Sequence, residues 1–99
     1  MRKLLLLMPA ILALGCAAEL TTEGSSVQIV DDKSSCQFLG TVIGFNSMGV
    51  NMAHNTEGAM NDLRNNAAQM GANAVKIIDV DTVPEGTTAL GEALSCNFD

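Results

Sequence analysis

The sequence predicts an α+β domain, a four-stranded sheet with one packed helix in the order β-β-α-β-β, closed by a single disulfide. Three observations carry that expectation. One segment repeats apolar residues at helical spacing: Met60, Leu63, Ala67 and Met70 at i, i+3, i+7 and i+10. Two runs with strand character precede it and two come after it. Cys36 and Cys96 fall in the second and the last of those runs, 60 positions apart, where one bridge would tie the second strand to the last.

Taken in order, the chain opens on Arg2 and Lys3, an apolar run from Leu4 to Leu14, and the small residues Gly15, Cys16, Ala17 and Ala18. This is the three-part layout of a secretory signal. The run covers 11 positions, short of the about 20 that a spanning helix needs. Residues 1–15 are read as signal peptide, 16–25 as a small, polar tether and 26–99 as the domain. Ser26 to Val30 alternates Val27 and Ile29 with polar neighbours, a short strand, and 31–35 form a turn or loop.

Cys36 to Phe45 is rich in β-formers and apolar on both parities, with Cys36, Phe38 and Val42 expected on one face and Leu39, Ile43 and Phe45 on the other. A strand apolar on both sides is expected to be central or covered. Gly40 and Gly44 point to a bulge, a bend or a closely packed helix. Residues 46–55 read as a loop, succeeded by a helix over about 56–70 capped by Asn55 or Thr56 and stopped by Gly71. Ala74 to Thr82 is a strand with Val75 and Ile77 facing one way and Ile78 and Val80 the other. Val83-Pro84-Glu85-Gly86 fits a turn, and Thr87 to Asn97 is the last strand, with Leu90, Leu94 and Cys96 on one parity.

The 99 residues hold one domain, with three Phe and no Trp or Tyr, so the core must be aliphatic. Removing 1–15 takes away Arg2 and Lys3 and no acid, leaving three basic side chains against 11 acidic ones, a net charge of about −8. Such a domain repels phosphate backbones, which excludes nucleic acid as a partner. It is also repelled by an anionic lipid surface, so membrane attachment would have to come from a lipid.

The chain has three cysteines, and an odd number in a secreted protein leaves one unpaired. The segment Leu12-Ala13-Leu14-Gly15-Cys16 resembles the bacterial lipobox, in which a cysteine behind the signal receives diacylglycerol. Lipid attachment at Cys16 would leave Cys36 and Cys96 to pair. Cleavage after Ala18 is the competing reading, since it discards Cys16 and also leaves an even pair. A two-cysteine metal or redox site lacks a CxxC or a neighbouring His to support it. Bacterial lipoproteins generally carry three acyl chains, palmitate among them, and the absence of Asp after the cysteine implies the outer membrane.

The runs Cys36-Gln37-Phe38-Leu39-Gly40-Thr41-Val42 and Gly58 to Val75, with Asn61-Asp62-Leu63-Arg64-Asn65-Asn66 at its centre, resemble a family of small uncharacterised bacterial lipoproteins. The pattern is also similar to the RcsF type of outer-membrane stress sensor. The resemblance implies a non-catalytic outer-membrane lipoprotein whose α+β domain faces the periplasm and acts through envelope protein contacts.

Asn61, Arg64 and Asn65 share a polar helix face at i, i+3 and i+4. They are candidates for a partner-binding patch, against a solvated face or hydrogen bonds that hold a neighbouring loop. No nucleophile–base pair, cofactor motif or small-molecule substrate site is evident. Met48, Met52 and His54 lie within seven positions and are the candidates for an alternative function, binding of a soft metal such as copper. Against that, such methionines are expected to pack and a lone loop His to be exposed.

Overall fold

The computed structural model describes residues 18–98. The segment expected to be a signal peptide, the expected lipidation site Cys16 and, of the alternative cleavage site, Cys16 and Ala17 lie outside the described residues. The elements are α1 (Thr22–Ser25), β1 (Gln28–Val30), β2 (Cys36–Asn46), α2 (Met52–Gln69), β3 (Ala74–Val83) and β4 (Gly86–Cys96). The four strands form one sheet in the order β1-β3-β4-β2, and α2 packs across β2, β4 and β3. The α+β class, the β-β-α-β-β order and the Cys36–Cys96 disulfide are as expected. The short α1 is an addition.

Strand β1 runs parallel to β3, while β4 is antiparallel to both of its neighbours, β3 and β2. Strand β2 is an edge strand, with α2 on one face and Phe38, Ile43 and Phe45 more than half exposed, so it is neither central nor covered on both faces as its apolar character predicts. Its free edge is covered instead by helix side chains. Asp62 Oδ2 accepts from Phe45 N at 3.0 Å, and Asn66 Nδ2 donates to Ile43 O at 2.9 Å. The two sit one helical turn apart and stand in for part of a fifth strand.

Two bulges change which residues face the helix. The register shifts between Phe38 and Gly40 in β2 and between Ile77 and Asp79 in β3. Each inserted residue turns the later side chains over. Val42 consequently faces α2 while Phe38 pairs with Leu94 on the opposite face, so the two do not share a side. Val80 pairs with Ala89 and returns to the helix side, again unlike the simple alternation. The helix side of β4 is the small one, Ala89, Gly91 and Ala93, which lets Leu63 lie close to the strand. Leu94 is buried on the far face, the side on which Lys33 of the 31–35 connection pairs with Glu92 at 2.9 Å. In that connection Ser34 N and Ser34 Oγ both donate to the Asp32 carboxyl, which they hold below the usual aspartate range.

The helix starts four residues earlier than its stripe predicts. Its cap is Asn51, not Asn55 or Thr56: the Asn51 side chain accepts from His54 N at 2.9 Å. The buried stripe is Ala59, Leu63 and Ala67 with Asn55 and Gly58, while Met70 is 39% exposed. A Cβ on Gly44 would overlap Ala59 O and the Leu63 backbone, so the helix touches β2 main chain to main chain. At the far end Gly71 takes φ 86°, with Gly71 N bonded to Ala68 O and Ala72 N to Ala67 O. That is a Schellman stop.

Candidate functional site

The polar face of α2 is the strongest candidate surface in the sequence, and the structure shows what occupies it. Residues 16–25 are expected to be a tether, but Ala18–Ser25, their described part, is docked along the helix. Asn61 Nδ2 donates to Ala18 O at 3.0 Å, and Asn65 Nδ2 donates to Glu19 O at 2.8 Å. Thr21 N returns a bond to Asn65 Oδ1 at 2.8 Å. Arg64 Nε donates to Val27 O at 3.0 Å, with a longer contact from Nη2 to Ser25 O at 3.4 Å. A chain of mostly small, polar residues could not dock by burial alone. It docks because amide and guanidinium side chains at i, i+3 and i+4 pair with its backbone. Asn61, Arg64 and Asn65 therefore hold an intramolecular segment.

A second polar node lies where this segment begins. Ala18 N donates to Asn46 Oδ1 at 2.9 Å. Asn46 Nδ2 in turn donates to Asn55 Oδ1 at 3.0 Å, and Gly49 N donates to the same oxygen at 2.7 Å. Asn46 is 6% exposed and Asn55 3%, so the node is internal, and the Asn46 amide and the Asn55 oxygen are paired, as buried amides require. Gly58 makes room for it, since a Cβ there would overlap the Asn46 side chain. Neither Asn46 nor Asn55 stands out in the sequence as a site residue. The signal is weak: Asn55 reads as a cap, and Asn46 as the start of a loop.

The node fixes the 47–51 loop and displays its apolar side chains. Met48 is 72% exposed, Val50 69% and Met52 46%. The methionines thus do not pack, contrary to the expectation for them. His54 sits in the first turn of α2, half-buried rather than exposed in a loop, and its Nδ1 has no hydrogen-bond partner. Among the described residues no group of three or more His, Cys, Asp or Glu is placed to hold a metal ion.

A shallow cleft of about 320 Å³ lies between the docked segment and α2, lined by Thr21, Glu23, Asn65, Ala68 and Gln69. Glu23 is its one ionisable lining residue, which provides no acid–base pair. The disulfide end of the sheet holds a further backbone clamp: Cys96 N donates to Asn73 Oδ1 at 2.8 Å, and Asn73 Nδ2 donates to Cys96 O at 2.9 Å. No helix among the described residues is long and apolar enough to cross a membrane.

The chain is similar to the uncharacterized protein YjeI of Escherichia coli K12, 36% identical over an alignment of 103 positions that covers 88% of each chain. The same identity and coverage hold for YjeI of E. coli O6:H1 and of Shigella flexneri. No solved structure matches. With residues 18–96 matching its defining pattern, the chain belongs to the DUF4156 family, a domain of unknown function.

Proposed function

We propose that this protein is a non-catalytic lipoprotein of the outer membrane, held by acyl chains on Cys16, with its domain in the periplasm and its work done through contacts with other envelope proteins. Stress sensing of the RcsF type is the finer form of this reading. The observation that carries it is the cysteine balance. Cys36 and Cys96 are joined to each other, which leaves Cys16, the residue behind the signal-like segment, as the odd one. A lipid there gives an acidic domain the membrane hold that its charge denies it.

The test is fractionation of cells producing the full chain and its Cys16→Ser variant, together with intact mass. The wild-type chain is expected in the outer-membrane fraction with the mass of an N-acylated, diacylglyceryl-modified protein, and the variant outside that fraction without the added mass. A wild-type chain recovered soluble and unacylated, or a variant that stays in the membrane, overturns the anchor.

A further inference from the structure

We propose that the 47–51 loop, with Met52 at the start of α2, is a second membrane contact, its apolar tip resting in the headgroup region of the bilayer that holds the Cys16 lipid. This rests on the lipoprotein reading and deepens it. The described chain begins beside this loop. Both sides of Ala18 are pinned, its N–H to Asn46 Oδ1 at 2.9 Å and its carbonyl to Asn61 Nδ2 at 3.0 Å. Cys16 is two residues upstream, and two residues of chain reach at most about 7 Å. A bilayer entered by acyl chains on Cys16 therefore lies beside Asn46 and the loop that leaves it.

That loop is held by Asn55 Oδ1, which accepts from both Asn46 Nδ2 and Gly49 N. The same node thus holds the chain's entry point and the base of the loop. The loop turns its apolar side chains outward, Met48 72% and Val50 69% exposed, and Met52 beside them at the start of α2 is 46% exposed. Val83, 42% exposed, stands at the neighbouring hairpin turn, where a Cβ on Gly86 would meet Asn46 O and the Ser47 side chain.

Charge selects the same surface. The chain is acidic, yet no Asp, Glu, Lys or Arg occurs between Lys33 and Glu57. The loop is thus a part of the domain that an anionic interface does not repel. Glu57 on the first turns of α2 and Glu85 in the hairpin turn bound the depth, so that only the loop tip enters. Apolar side chains at the headgroup boundary are the usual form of such contacts.

Methionine oxidation tests this in the native full-length protein. Met48 and Met52 are at one end of α2, and Met70 caps the other, about 27 Å away along an 18-residue helix. The protein, purified from membranes and checked for acylation by intact mass, is added to phosphatidylethanolamine–phosphatidylglycerol vesicles. It is then treated briefly with chloramine-T, an anionic oxidant, and sulfoxide is read for each methionine by mass spectrometry. By exposure alone Met48 should oxidise ahead of Met70, at 72% against 39%. On vesicles the order is expected to reverse, with Met48 and Met52 several-fold slower than Met70. Val50→Glu should restore the solvent order with acylation intact. An acylated protein whose Met48 still oxidises ahead of Met70 overturns the loop contact and leaves the anchor standing. A protein without acyl mass overturns the anchor, and the loop contact falls with it.

Discussion

Asn55 carries more of this structure than its place in the sequence announces. It sits inside the first turns of α2, 3% exposed, and its single side-chain oxygen receives both Asn46 Nδ2 and Gly49 N. Removing that oxygen strands two donors, one of them on a 6% exposed residue. Stranded buried donors cost about 1–3 kcal/mol. Asn55→Ala is therefore expected to lower unfolding stability in urea by roughly that amount, and to speed amide exchange at Gly49. Unchanged exchange there would show that the loop is held by something else. Asn73 plays a similar part at the other end of the sheet, where its amide pairs with both backbone groups of Cys96, beyond the last β3–β4 pair at Ala74 and Leu94. In both cases an asparagine, readable as a turn or cap residue, acts as a piece of backbone.

At the level of elements, the notable device is how the long edge strand β2 is closed. Phe45 N and Ile43 O, groups on the outer edge of the sheet, are taken by Asp62 and Asn66 of α2. An open edge of this length with Ile43 and Phe45 each 54% exposed would be a template for pairing with another chain. The double variant Asp62→Ala/Asn66→Ala should keep the fold, because both bonds are near the surface, but should associate with rising concentration. Light scattering on a sizing column measures this; a variant that stays as monodisperse as the parent would show that the edge is protected by other means. The helix itself can approach β2 this closely because Gly44 meets its backbone and because β4 offers Ala89, Gly91 and Ala93 to Leu63. Small residues on the sheet and a narrow Ala59-Leu63-Ala67 stripe are two halves of one packing solution.

For the molecule as a whole, the disulfide closes the span from the start of β2 to the end of β4, a separation of 60 residues that contains α2 and β3. Restricting a loop of that length in the unfolded chain contributes about 4 kcal/mol by chain-entropy reasoning. That is a large fraction of what a small domain has. Reduction, or Cys36→Ala/Cys96→Ala, should lower the thermal midpoint sharply, with scanning calorimetry as the measurement. An unchanged midpoint would mean that residual structure already restricts the unfolded chain to a similar degree. The docked 18–25 segment also alters the outline of the whole. A tether over 16–25 would let the domain hang about ten residues from its anchor. With Ala18 bonded to Asn46 and Asn61, the chain is already docked on the domain two residues after Cys16.

The order of elements, the helix with its Gly71 stop and the pairing of Cys36 with Cys96 are all legible in the sequence, because they rest on local periodicity, capping chemistry and cysteine number. The partners of Asn61, Arg64 and Asn65 are not. Their contacts join residues between 37 and 46 positions apart, and a polar helix face looks the same whether water or another segment meets it. The bulges at Phe38/Gly40 and Ile77/Asp79 likewise overrule simple alternation, since one inserted residue turns every later side chain over. Cys16 was marked by the sequence alone. How closely the domain sits behind it was decided by tertiary structure, through hydrogen bonds from side chains on α2 and β2 to the backbone of the N-terminal segment.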